Sequence, residues 1–195
     1  MNREQLYDIL MSSDVVNSIC NNLDTLLELI PELNDMIGFE HNHPHHHLDV
    51  WEHTLLALSL SPNEFKIRLI LLLHDIGKPH CFQDMEIRHF KGHPKKSSII
   101  AYQILTRLEF DSNEKDEICF LINYHDTLIS KKLITSNITI AKLLFKIQFC
   151  DAMAHNPTKL EKRKRYLLDI NDKINFGLEK EIYKNLIINI QGEVY

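Results

Sequence analysis

Leu71-Leu72-Leu73-His74-Asp75-Ile76-Gly77-Lys78-Pro79 is the stretch around which the chain is organised. The apolar run from Ile67 to Leu73 leads directly into an adjacent imidazole and carboxylate, then into Gly, Lys and Pro. This order predicts a buried helix whose C-terminal turn delivers both polar groups to one site. Gly77 is expected in the left-handed conformation that commonly ends a helix, and Pro79 cannot continue one. Lys78 is expected to project from the rim of the site.

Outward from this stretch the apolar residues recur at helical spacing. Leu6, Ile9, Leu10 and Val16 predict a first helix over about 3–18, and Leu23, Leu26, Leu27 and Ile30 a second. The segment His41 to His47, containing Pro44, has no apolar period and reads as a loop. Asp49 suits an N-cap or first-turn acid for a helix through Trp51 and Leu58, and Pro62 the first turn of the next. Residues 79–92 look irregular, and a helix is expected from about Pro94. Asp111-Ser112-Asn113-Glu114 is a helix start leading to Tyr124-His125. Residues 127–137 read as a connector, and Ile138 to Ala154 as a core helix stopped by Asn156-Pro157. Beyond it, Lys159 and the run Lys162 to Arg165 predict one or two solvated helices, with a weaker apolar pattern reaching Leu178. The expected fold class is all-α.

Composition agrees. The 195 residues are 44% hydrophobic and 25% charged, with only five Gly and six Pro, which disfavours turn-rich sandwiches and barrels. A formal charge of -5 argues against a broad nucleic-acid-binding surface and leaves room for a local basic patch. Cys20, Cys81, Cys119 and Cys150 form no Cys-x-x-Cys pair and are expected to be reduced. No apolar run approaches the ~20 residues of a membrane span, and the N-terminus has no signal core, so a cytoplasmic protein is expected. The abnormal count is twelve histidines, five of them between His41 and His47.

Five segments place His or Asp at expected helix ends or in the core helix: His53, His74-Asp75, His93, His125 and Asp151. Three lie in strongly apolar surroundings, where an unpartnered polar group costs roughly 2–7 kcal/mol. A divalent cation offsets that cost by turning the buried groups into ligands.

The order His, His-Asp, His, His, Asp resembles the HD-domain superfamily of metal-dependent phosphohydrolases over about His45 to Pro157. The resemblance implies a compact helical bundle with the metal site in its core, one domain over 1–195, and flanking helices in 1–40 and 158–195. His53, His74, Asp75 and Asp151 fall on the family's four core ligand positions. Gly92-His93 and Tyr124-His125 are similar to the additional histidines of members that bind a second metal. The segments His45 to Thr54, His74 to Pro79, His89 to His93 and Asp151 to Asn156 most resemble the HD domain attached to some bacterial tRNA nucleotidyltransferases. The chain has no room for a nucleotidyltransferase domain and no Gly-Ser plus paired-Asp signature, so CCA addition is not expected of it.

The implied reaction is hydrolysis of a phosphomonoester or phosphodiester, expected to be a nucleotide or 2′,3′-cyclic nucleotide, by metal-activated water. The nitrogen and oxygen donors suit one or two ions of Mn, Fe, Co, Ni or Zn better than Mg. Asp75 is the expected bridging ligand. His93 and His125 either complete a second site or act on the phosphate as acid or donor, and Lys78 is an expected phosphate contact. His47, Arg88 and His155 are further candidates for substrate contact, while Trp51 and Phe90 read as packing. The expected partner is a small phosphorylated substrate, with an RNA end as another; the oligomer is left open. Two alternatives stand beside this: a nucleotide- or RNA-associated module with a structural metal, and a di-iron oxygenase.

Overall fold

A computed structural model describes residues 2–83 and 87–175. Its helices are α1 (Asn2–Leu10), α2 (Val15–Asn21), α3 (Leu23–Leu29), α4 (Val50–Ser59), α5 (Phe65–Leu73), α6 (His93–Arg107), α7 (Ser112–Tyr124), α8 (Lys131–Ser136), α9 (Ile138–Met153) and α10 (Glu161–Ile174). Short 3-10 turns cover Pro31–Met36, Lys78–His80 and Pro157–Lys159. Extended structure among the described residues is limited to the isolated bridges Glu40–Asp49 and Gln83–His89. The chain is all-α.

At the centre, α5 is buried from Ile67 to Leu73 and packs against α1, α4, α7 and α9. Its sequence is apolar on every face because it has neighbours on every face. Lys66, in the first turn, reaches outward to Glu117, but Arg68 is buried, and its guanidinium donates to the Leu10 and Ser12 carbonyls at 2.6 and 2.8 Å. Those carbonyls lie at the C-terminal end of α1, where no intrahelical donor remains. Helices α6 and α7 form a hairpin beside α5, and the apolar core runs on to Ile174 in α10.

Local signals account for the starts. Asp49 and Asp111 each close a capping box, with Glu52 and Glu114 respectively. The expected first helix is two, because Asp14 accepts from Asn17 N–H at 3.0 Å and starts α2 afresh after the polar turn Ser12-Ser13. Pro62 lies outside α5, which begins at Phe65 after Glu64. The connector 127–137 contains α8, capped by Ser130.

The expectation for Gly77 is corrected. Its φ is -84°, an ordinary right-handed value. What requires glycine is the close approach of α6: an added Cβ would lie 2.5 Å from Ser97 N and 2.8 Å from the His93 carbonyl. Gly77 N–H also donates to Ser97 Oγ at 2.9 Å, fastening the two segments together. The left-handed glycine of this region is Gly92, at φ 85°, which turns the chain into α6. In the basic run, Lys164 is buried and Arg163 half-buried, so 159–165 is only partly a solvated face. The apolar pattern expected to reach Leu178 lies outside the described residues beyond Asn175. No helix of the described residues is long and apolar enough to cross a membrane.

Candidate metal centre

Five helices converge on one cluster. His74 and Asp75 follow the last residue of α5, His125 follows α7, and Asp151 sits in the last turn of α9. His53 lies in the first turn of α4 and His93 opens α6. Three helix C-termini therefore face the cluster, and their dipoles favour positive charge there.

The backbone also orients the ligands. His74 Nδ1 lies 2.6 Å from the Leu71 carbonyl and His125 Nδ1 2.7 Å from that of Ile122. His93 Nδ1 is 2.9 Å from the Phe90 carbonyl, and His53 Nδ1 3.2 Å from that of Ala154. A carbonyl only accepts, so the proton of each neutral ring belongs on Nδ1, and each Nε2 lone pair is aimed inward. For His74 and His125 the accepting carbonyl lies in the last turn of the preceding helix, where carbonyls lack their full set of intrahelical donors.

The Asp75 carboxylate lies between two pairs of these nitrogens. Oδ2 is 3.3 Å from His74 Nε2 and 3.7 Å from His53 Nε2, while Oδ1 is 3.3 Å from His93 Nε2 and 3.8 Å from His125 Nε2. Asp151 Oδ1 joins the first pair, at 3.0 Å from His53 and 3.6 Å from His74. Both Asp75 oxygens and His74 Nε2 are buried without a well-directed hydrogen bond, the Lys78 ammonium beside Oδ2 being an ion pair only. Nitrogen and carboxylate donors left unsatisfied around a common centre fit a divalent metal. Burial opposes ionisation of Asp75, but His74 and Lys78 outweigh it and hold the carboxyl well below its ordinary range. Burial likewise opposes charge on His74, yet Asp75 and Asp151 raise its pKa to about 10. The cluster strongly attracts a cation. Burial and the charge of His74 lower His125 to about 4, leaving its ring neutral at ordinary pH.

Lys78 is not at the rim. It is 5% exposed, with Nζ 2.7 Å from Asp75 Oδ2, and it donates to His41 Nε2 at 2.9 Å. His41 Nδ1–H in turn donates to the Leu48 carbonyl at 2.9 Å. Burial, then the lysine charge, lower the His41 pKa to about 2, so it stays a neutral acceptor.

A cavity of about 350 Å³ opens onto this cluster, with Asp75, Lys78, His93, His125 and Asp151 at its floor. Arg88 and His89 line it as well. The Arg88 guanidinium is held in the wall, 5.2 and 5.0 Å from the Phe39 and Phe82 rings, and donates to the Glu40 carbonyl at 2.7 Å. Phe90 lines the cavity and Trp51 is buried. His155 is brought in, its Nε2 3.5 Å from Asp151 Oδ1, with its pKa lowered to about 4 mainly by burial. The structure does not bring His47 to the cavity. It is exposed, and His43 and His46 line the wall instead. His46 stacks on His41 at 3.7 Å between centroids and could form a further ligand group with His53 and His155.

Three residues escaped the reading of the sequence. His41 and His46 were indistinguishable within a run of histidines. Arg163 sat in a basic stretch that reads as surface, yet it reaches Asp126 at 3.1 Å and Asp151 Oδ2 at 3.7 Å. An acid in the preceding helix end was the available signal, and a weak one.

A helical bundle with a buried His/Asp cluster at its helix ends is the architecture of a divalent metal-binding domain. The HD domain family matches residues 45–171, well over half of the chain, and the chain belongs to that family. It is similar to the A-adding tRNA nucleotidyltransferase of Deinococcus radiodurans, 34% identical over 134 residues, which cover 63% of this chain and 30% of that protein. It is also similar to the CC-adding tRNA nucleotidyltransferase of Thermus thermophilus, 36% identical over 104 residues, 49% of this chain and 24% of that protein. The multifunctional CCA protein of Legionella pneumophila is 30% identical over 98 residues, 48% and 23% of the two chains. The matches thus span less than a third of each relative's length. HD domains bind divalent metals and belong to a superfamily of metal-dependent hydrolases.

Proposed function

We propose that this chain is a metal-dependent phosphohydrolase that cleaves a phosphomonoester or phosphodiester, a nucleotide or 2′,3′-cyclic nucleotide above all. The observation that carries the reading is the buried Asp75 carboxylate, unsatisfied by hydrogen bonds, with each oxygen facing a different pair of histidines beside an open cavity. His53, His74, Asp75 and Asp151 would hold one ion, and Asp75, His93 and His125 a second, drawn from Mn, Fe, Co, Ni or Zn rather than Mg. Such an ion supplies Lewis acidity, polarising a phosphoryl oxygen and lowering the pKa of a water.

The remaining chemistry belongs to the side chains. Lys78 holds its ammonium against Asp75 and His41 with little water around it, so its charge acts on a phosphoryl oxygen with little screening. His125 keeps its proton on Nδ1 and is neutral, so its Nε2 serves as a ligand or proton acceptor rather than an acid. Arg163 holds the second oxygen of Asp151, leaving the first toward His53 and His74. Lys91 at the cavity wall and the fixed Arg88 favour an anionic substrate. We take residues 1–195 as one domain acting in the cytoplasm. A second reading, an RNA-associated module, is favoured only by the relatives' action on tRNA.

Metal analysis followed by a phosphoester panel tests the reading, with nucleoside monophosphates, 2′,3′-cyclic nucleotides and a generic phosphodiester as substrates. Metal-dependent turnover of at least one class is expected, lost in Asp75→Ala. Bound metal with no turnover under any added divalent ion would favour the module.

A further inference from the structure

A second cavity, of about 420 Å³, adjoins the metal site and shares His43, His46 and His155 with it. Its outer wall differs in kind from the first. Lys159 and Lys162 are exposed and have no ion-pair partner among the described residues, whereas Arg163 in the same wall is occupied by Asp126 and Asp151. Leu128, 65% exposed, and the half-buried Tyr166 form the apolar part. The phenol hydroxyl is used up: it accepts from Ile129 N–H at 2.8 Å and donates to Gln148 Oε1 at 2.9 Å. Gln148 is itself fixed by donating to the Thr127 carbonyl at 2.7 Å. What remains available is the face of a ring locked in place by two hydrogen bonds.

Two solvent-facing ammonium groups beside a rigid aromatic face and an exposed leucine match the chemistry of single-stranded nucleic acid. Cations track the backbone phosphates while the ring and the aliphatic side chain take a base. A mononucleotide whose phosphoester lies at Asp75 has no second phosphate to meet these two ammonium groups. We propose that this second cavity binds the neighbouring nucleotide of a single-stranded oligonucleotide whose terminal phosphoester lies at the metal site. The inference rests on the phosphohydrolase reading and narrows its substrate to oligonucleotide ends. The chain's net charge of -5 makes the patch local, suited to one or two phosphates rather than a duplex.

The test compares a nucleoside 2′,3′-cyclic phosphate with a trinucleotide carrying the same terminal group, using metal-loaded protein and the Lys159→Ala/Lys162→Ala variant. Both lysines are exposed, so folding should be unaffected. We expect kcat/KM at least tenfold higher for the trinucleotide in the parent, and a ratio near one in the variant, the loss falling on KM. A second readout needs no turnover. Fluorescence anisotropy of a labelled trinucleotide in the presence of chelator should show binding weakened about tenfold in the variant. The slope of log K against log salt should fall by about 1.4, roughly 0.7 for each single-strand phosphate that the variant no longer neutralises. Inorganic tripolyphosphate should compete poorly, having no base for Tyr166 and Leu128. Equal turnover of both substrates with unchanged binding in the variant would overturn the subsite and leave the phosphohydrolase reading standing. No turnover with the binding contrast intact would do the reverse. Tripolyphosphate competing as well as the trinucleotide would reduce the cavity to a general anion site and overturn the proposal.

Discussion

The molecule holds two groups of histidines, and they are ordered by different means. His53, His74, His93 and His125 are spread over four helices, and each has its Nδ1 against a backbone carbonyl. The histidines of 41–47 are close in sequence and largely order one another: His41 stacks on His46, and His43 on His45. Only His41 among them has both nitrogens bonded, to the Leu48 carbonyl and to Lys78. A ligand is therefore made by what holds the far side of its ring, since a fixed Nδ1–H both sets the tautomer and aims the lone pair. Local density of histidine does neither.

The largest break comes from removing the group on which the first set converges. Asp75→Asn keeps the shape and removes the charge. It should lower bound metal to a small fraction and turnover by more than about a hundredfold, read by elemental analysis and initial rates. Undiminished metal content would refute the ligand assignment.

Next is the contact that holds the two halves of the site together. Gly77→Ala drives a methyl into Ser97 and the His93 carbonyl, which are mostly backbone and cannot move aside cheaply. A loss of about 1–3 kcal/mol in urea unfolding is expected, with weaker retention of a second ion through displaced His93. A neutral result would mean that α6 can shift freely.

His41→Ala sharpens the contrast within the loop. It leaves Lys78 Nζ without its nitrogen acceptor, and turnover should fall roughly tenfold, in the range of losses seen when groups supporting a site are removed. His47→Ala, at an exposed position outside the cavity, is the matched control and should change stability by less than about 0.5 kcal/mol. Equal effects of the two would erase the difference between these loop histidines.

Acidity gives a gentler probe of the chelated protein. His41, His125 and His155 have folded pKa values of about 2, 4 and 4, below the ordinary value. Between roughly pH 6.5 and 4 the unfolded chain takes up protons at these rings while the folded chain does not, so stability falls on acidification. His74, raised to about 10, contributes stability that is complete below roughly pH 6.5 and lost as pH rises toward 10. Urea midpoints at pH 5, 7 and 9 should therefore peak near neutrality. A steady rise to pH 9 would contradict the raised His74.

Much of this was legible in the chain, and for identifiable reasons. Periodicity and capping acids are local, so the helices from Val50 to Met153, α8 apart, lie close to where their residues predict them. Errors arose where a local signal had two physical causes. Gly77 could be a glycine for its φ or for want of a side chain, and only the distance to Ser97 separates these. Lys78 follows a helix end, where cations commonly face water, but the fold covers it with His41 and Phe90. The basic residues between Lys159 and Arg165 carry one charge sign and have three destinations: solvent, the core and Asp151.

By itself the sequence determined the all-helical class, the central buried helix and the order of metal-capable residues along the chain, because hydrophobic period and residue chemistry are carried by neighbours. Tertiary structure alone decided which nitrogens face inward, that Asp75 lies between two histidine pairs, and that a second basic cavity shares a wall with the first. Those facts depend on carbonyls and side chains up to about a hundred positions away, as His53 and Ala154 are. Only packing brings such residues within reach.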